Sequence, residues 1–179
     1  MIDKHQNQNT NNLLVNTTNS IFIEDNELLS TIDFNDKRRL ARLFALIYLY
    51  NYFFLIKYKY QLNQNPSRIK IFELNSVKQI LQVKKINKKI YVKVIEAVMN
   101  HFEECDKIIS LFATARPIEE INLIDLCILR MALAEGFIEK LTPQKVVINE
   151  AIELAKMFSG HKNASFVNAI LSQAIKNNI

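Results

Sequence analysis

Apolar residues recur with helical spacing through most of the chain, beginning after residue 36. In the stretch 37–58, KRRLARLFALIYLYNYFFLIKY, one face collects Leu40, Phe44 and Ile47 when each residue turns the helix by about 100°. Asn35 or Asp36 precedes this face and suits the N-cap position. The pattern predicts a long first helix that begins near Asp36.

A second helical pattern covers residues 77–112, and the loop-like stretch 58–76, with its Pro66 and several Asn, separates it from the first. Asn87 is a candidate break within the second pattern. The predicted buried stripe consists of Ile80, Val83, Ile86, Ile90, Val94, Val98, Phe102 and Ile109. We expect one or two helices here.

A third pattern follows Asn122, a predicted N-cap with Asp125 three residues later, as in a capping box with a shorter acid. Gly136 is the expected end of this helix. Its predicted core residues are Ile124, Cys127, Ile128, Met131 and Leu133.

The last pattern, Thr142 to Ala174, predicts two short amphipathic helices that meet at Gly160. Thr142 suits an N-cap, and Pro143 suits a first helical position because its missing N–H has no partner there. Gly160 can adopt a positive φ and stop the first of the two helices. The whole chain is therefore predicted to be all-α.

The start of the chain differs from the rest. Residues 1–35 are rich in Asn and acidic residues, and their few apolar residues form no sustained face, so we expect a disordered tail followed by one helical domain over 36–177. The apolar stretch Leu43 to Ile56 has 14 residues, fewer than the roughly 20 that span a bilayer. With two cysteines and no signal-peptide pattern, a cytoplasmic protein without a membrane partner is expected.

Charge is strongly segregated along the chain. Residues 37–93 contain 14 Lys or Arg and one acid, whereas residues 1–36 contain one Lys and six acids and residues 94–179 contain eight basic and eleven acidic residues. So basic a segment favours nucleic acid as a partner. A solvated Lys-rich surface is the alternative, and it is the favoured interpretation for one group: Lys84, Lys85, Lys88, Lys89 and Lys93. Salt-dependent, non-specific RNA binding is the second interpretation of these five lysines.

Three arginines open the first helix. Arg38, Arg39 and Arg42 oppose the helix macrodipole there, which favours a functional reason for them, and Tyr50 returns to within about 20° of Arg39 on the helical wheel. Guanidinium groups bind phosphates, and a tyrosine ring can stack an unpaired base. The alternative is a solvated first turn with Tyr50 in the core.

Enzymatic chemistry finds little support. Gly136 and Gly160 are the two glycines of the chain, so a glycine-rich phosphate loop is excluded. His5, His101 and His161 have no ligand-like or catalytic spacing, and neither cysteine belongs to a CxxC motif. We expect no enzyme activity, no cofactor and no metal.

The chain resembles the NusB family of transcription antitermination factors in four segments. These are VVINEAIELAKMFSG, FVNAIL, ILRMALAE and the arginine-rich first helix. The resemblance extends over about 37–176. It implies a fold of two packed helical bundles. It also implies binding of boxA-like single-stranded RNA together with the NusE-like small-subunit ribosomal protein, within an RNA polymerase antitermination complex acting chiefly on ribosomal-RNA operons.

The same resemblance implies roles for particular residues. Asp125 lies on the helix that meets the ribosomal protein in the family, and the RNA-binding positions are Arg38, Arg39, Arg42, Tyr50, Lys145 and Phe166. Ser165 and Ala169 replace a Lys and a Gly that are common in the family. Two alternatives are a protein-interaction scaffold without RNA binding and an RNA-binding domain related to that of ribosomal-RNA cytosine methyltransferases.

Overall fold

The computed structural model describes residues 35–62 and 74–179, so the predicted tail lies almost wholly outside the described residues. The helices are α1 (Lys37–Leu62), α2 (Leu74–Ile80), α3 (Lys88–Phe112), α4 (Leu123–Leu133) and α5 (Gln144–Lys176). A 3₁₀ turn (Ile118–Glu120) precedes α4, and a π-helical turn (Ala134–Ile138) continues it. The described residues contain no strand, and the predicted all-α class is confirmed.

Helix α1 begins where its cap was predicted. The Asp36 carboxylate accepts hydrogen bonds from the backbone N–H groups of Arg38 (2.8 Å) and Arg39 (3.1 Å). The predicted loop over 58–76 is wrong at both ends, because α1 continues to Leu62 and α2 begins at Leu74. No Gly or Pro occurs between residues 58 and 62, and extending an existing helix costs little.

The apolar length of α1 reflects its place in the core. By length and composition Lys37–Lys57 could cross a membrane, but half of its most apolar window is buried inside the protein. Leu40, Phe44 and Leu49 are all buried. This burial agrees with the prediction of a core helix.

Asn87 breaks the second pattern, as predicted. Its side chain caps α3 by accepting a hydrogen bond from the backbone N–H of Ile90 at 3.1 Å. Its own backbone N–H donates to the carbonyl oxygen of Lys37 at 3.0 Å. The beginnings of α1 and α3 are therefore held side by side.

Helix α4 is the centre of the fold. It packs against α1, α3 and α5. Every residue from Asp125 to Phe137 is buried, including four of the five predicted core residues, whereas the fifth, Ile124, is partly exposed. Two buried charges on this segment are paired with other helices: Arg130 binds Asp106 through two 2.7 Å hydrogen bonds, and Glu135 binds Arg42.

Gly136 does not end this helix, contrary to the prediction. It lies within the π-helical turn, and a Cβ atom added to it would come within 3.0–3.4 Å of the side chain of Val147. The glycine thus permits the close approach of α5 and has no role in stopping α4.

Gly160 does interrupt α5, as predicted. It has φ 81° and ψ 172°, a conformation that L side chains rarely adopt. The chain folds back after Gly160, as a 3.3 Å hydrogen bond from the Gln144 side chain at the start of α5 to the carbonyl oxygen of Ile179 shows. The predicted helical hairpin is confirmed.

Candidate nucleic-acid interface

The three arginines of α1 have three different environments. Arg38 is exposed, and within the described part of the chain its side chain has no ion pair. Arg39 is one-third exposed and binds Glu150 of α5 through a 3.4 Å ion pair. Arg42 is buried, with 4% of its surface accessible. Only the first two present cationic groups to the surface.

Arg42 forms a buried ion pair with Glu135. Its Nε donates to Oε2 at 2.9 Å, and its Nη2 donates to Oε1 at 2.6 Å. Burial lowers the pKa of Arg42, but the hydrogen bond and the charge of Glu135 more than offset this effect and raise the pKa overall. Arg42 therefore stays charged, and in this structure its guanidinium group is not accessible to an RNA phosphate.

Thr142 takes part in this pair and does not cap α5 as predicted. Its hydroxyl group donates to Glu135 Oε1 at 2.6 Å, while Pro143 occupies the cap position without a side-chain hydrogen bond. A buried carboxylate needs more than one donor, and Thr142 supplies one that helix periodicity could not reveal.

These contacts place the start of α5 beside the start of α1. Glu150 binds Arg39, and Thr142 also accepts a 3.3 Å hydrogen bond from Arg42. Lys145 lies in the first turn of α5 and is exposed. Arg38, Arg39 and Lys145 thus project from adjacent helix starts.

The two predicted aromatic contacts lie elsewhere. Tyr50 is partly exposed and stacks on Phe54 with 5.9 Å between ring centroids. Phe166 is partly exposed, and the guanidinium carbon of Arg116 lies 5.3 Å from its ring centroid. Within the described residues, no hydrogen bond, ion pair or ring contact joins either ring to the arginines of α1. Arg116 lies in a loop, where no periodicity could point to it.

Asp125, the predicted partner contact, is completely buried. Its Oδ2 accepts a 2.9 Å hydrogen bond from Asn163, and Asn122 caps α4 alone by accepting from the N–H of Ile124 at 3.3 Å. Burial raises the pKa of Asp125, although Ser159, Arg116 and Asn163 each oppose that rise. In this structure the Asp125 carboxylate has no surface to offer another protein.

The five lysines near the start of α3 are all exposed, which agrees with their interpretation as a solvated face. The hydrogen bond from Asn87 to Lys37 adds what the sequence could not reveal, namely that four of these lysines lie beside the arginine-bearing end of α1. We call Lys84, Lys85, Lys88 and Lys89 the lysine cluster.

The described residues offer binding groups and little reactive chemistry. Burial raises the pKa of the Cys105 and Cys127 thiols to about 12, so neither is a thiolate at neutral pH. In the described part of the chain, no group of three or more His, Cys, Asp or Glu residues is placed to hold a metal ion. The binding groups that the described residues offer are chiefly exposed Lys and Arg side chains.

A family model described as the NusB family matches residues 39–176. The chain belongs to the NusB family. The transcription antitermination protein NusB of Thermodesulfovibrio yellowstonii is 32% identical over 154 residues, which are 80% of this chain and 94% of the relative. The NusB of Dehalococcoides mccartyi is 43% identical over 84 residues, 47% of this chain, and that match spans 59% of the relative, less than two thirds of its length.

Solved structures support the same NusB fold. Thermotoga maritima NusB superposes with a TM-score of 0.55 and 25% identity, over 78% of this chain and 90% of that protein. A chain in the crystal structure of a plectonemic RNA supercoil gives a TM-score of 0.59 and 25% identity, over 79% and 95%. The NusB relatives are named as antitermination proteins and not as enzymes, which supports the non-enzymatic prediction.

Proposed function

We propose that this protein is a cytoplasmic transcription antitermination factor. It binds boxA-like single-stranded RNA together with the NusE-like small-subunit ribosomal protein, and the complex promotes read-through by RNA polymerase in ribosomal-RNA operons. The observation that carries the proposal is the exposed pair Arg38 and Lys145 on adjacent helix starts of a NusB family protein.

The structure narrows the RNA-binding residues that we propose. Arg38, Arg39 and Lys145 supply phosphate contacts, because their charges are wholly or partly exposed. Tyr50 and Phe166 supply partly exposed rings for base stacking, with the Phe166 ring partly covered by Arg116. Arg42 is left out because it is buried, and Asp125 is left out of the partner surface for the same reason.

The test is fluorescence anisotropy of a labelled boxA-like RNA at several salt concentrations, with and without the ribosomal protein. The test variant is Arg38→Ala with Lys145→Ala. The control is Lys57→Ala with Lys107→Ala, which removes the same charge from exposed positions far along α1 and α3. We expect the test variant to raise the Kd about tenfold and to lower the log–log salt slope by about 1.4, since each contact with single-stranded RNA contributes about 0.7.

Wild-type protein should prefer the boxA-like RNA to a scrambled RNA of equal composition, and the ribosomal protein should strengthen this preference. Equal binding of the two RNAs would contradict the proposal. If the protein bound the ribosomal protein but neither RNA, the scaffold alternative would replace it.

A further inference from the structure

We infer that the lysine cluster extends the RNA-binding surface and holds the phosphate backbone of the strand that flanks the boxA-like element. This inference rests on the proposed function, because it requires an RNA already held at the start of α1. It replaces the favoured interpretation of the four lysines as a solvated face and assigns them a defined part of the RNA.

The lysine cluster lies beside the start of α1. The Asn87 N–H donates to the Lys37 carbonyl oxygen at 3.0 Å, and all four lysines lie within three residues of Asn87. Lys37 is the neighbour of Arg38 in the chain. The lysine cluster is therefore continuous with the cationic end of α1, and an RNA strand that leaves Arg38 in this direction meets it.

The four lysine charges gain little stabilisation from the fold itself. Every lysine of the cluster is exposed, and within the described part of the chain none forms an ion pair. Lys88 and Lys89 occupy the first turn of α3, where cations oppose the macrodipole and where no acidic residue accompanies them. A bound polyanion would relieve the mutual repulsion of four neighbouring positive charges.

The residue type indicates the kind of contact. A lysine is a flexible point charge, suited to phosphates at variable positions, whereas reading a base needs a fixed hydrogen-bonding geometry. No aromatic residue except the partly buried Tyr91 lies between residues 81 and 95. We therefore assign the cluster to sequence-independent backbone binding, next to the residues that hold the boxA-like element.

The experiment compares two labelled RNAs, the boxA-like element alone and the same element extended by about ten nucleotides of unstructured sequence at each end. The test variants are Lys85→Gln with Lys88→Gln, and then all four lysines changed to Gln. The control is Lys57→Gln with Lys107→Gln, which matches the double variant in charge and exposure. Thermal unfolding should show that each variant remains folded.

We expect wild-type protein to bind the extended RNA more tightly and with a steeper salt dependence than the short RNA. The lysine variants should bind the short RNA within about twofold of wild type but should lose the gain on the extended RNA, with the slope falling by about 0.7 for each phosphate contact removed. The control should keep the gain.

Two results would overturn the inference. One is an equal loss in the control variant, which would assign the effect to net charge. The other is selective binding of the short RNA with no gain from the extension, which would remove the cluster's role and leave the proposed function intact. Failure of wild-type protein to select the short RNA would instead contradict the proposed function.

Discussion

The buried ion pair between Arg42 and Glu135 allows a sharp separation of folding from RNA binding. Changing Arg42→Met removes all three hydrogen bonds from Arg42 to Glu135 and leaves the Glu135 carboxylate with 2% exposure and no cation in direct contact. Breaking one side of a buried pair costs about 3–5 kcal/mol, because the remaining charge is not solvated. For a domain of this size, this loss lowers the Tm by roughly 10–15 °C.

Urea denaturation followed by circular dichroism measures this loss, and a second variant identifies its cause. Arg42→Met combined with Glu135→Leu removes both charges of the pair, so it should recover most of the lost free energy of unfolding. Because neither residue is accessible in the folded protein, this double variant should bind boxA-like RNA within about twofold of wild type.

Two outcomes would refute the reasoning. If Arg42→Met alone were as stable as wild type, the pair would not be the buried contact described here. If the double variant folded well but lost RNA affinity as Arg38→Ala is expected to do, Arg42 would reach RNA through a rearrangement, and its predicted RNA role would be restored.

Three further predictions concern α4, the π-helical turn that continues it, and α5. Because burial raises the pKa of Asp125, its contribution to stability is complete below the ordinary pKa of 3.8 and is lost as the pH rises through its folded pKa. Asp125→Asn should therefore gain stability relative to wild type above about pH 4. A pH-independent difference between the two proteins in urea denaturation would contradict this prediction. Gly136→Ala should lower the free energy of unfolding by about 1–2 kcal/mol, because the added methyl group overpacks against Val147. Adding Val147→Ala to this variant should restore part of that loss, and further destabilisation would refute the prediction. Gly160→Ala should lower the free energy of unfolding by about 1–3 kcal/mol through backbone strain alone, because an added methyl group meets no other atom there. Val147→Ala should therefore not rescue this variant in the same unfolding assay.

Helix boundaries could be predicted where the deciding group is local. Asp36, Asn87 and Asn122 each accept a hydrogen bond from an N–H two or three residues later, and Gly160 adopts its positive φ within the same helix. Sequence spacing describes such contacts directly.

Other features depend on distant segments, and their predictions were wrong for that reason. Glycine is typical of a helix end, but at position 136 it is required because Val147 of the next helix leaves no room for a side chain. Thr142 has the composition of a cap, but the buried Glu135 takes its hydroxyl group. The adjacency of α1 and α3 likewise depends on a tertiary hydrogen bond. The sequence therefore reveals the lysine cluster but not its position beside the start of α1.

The arginines of α1 show why a helical wheel cannot assign an RNA site by itself. Arg38 and Arg42 lie about 40° apart around the helix axis, yet one is exposed and the other buried. They differ in depth along the axis, by about 6 Å, and Glu135 and Thr142 bind Arg42 at the deeper position. A variant without all three arginines would therefore lose stability through Arg42 and RNA affinity through Arg38, and a weak binding signal would have two causes. Arg38→Ala and the Arg42/Glu135 double variant separate them, since only the first is expected to weaken RNA binding in a fully folded protein.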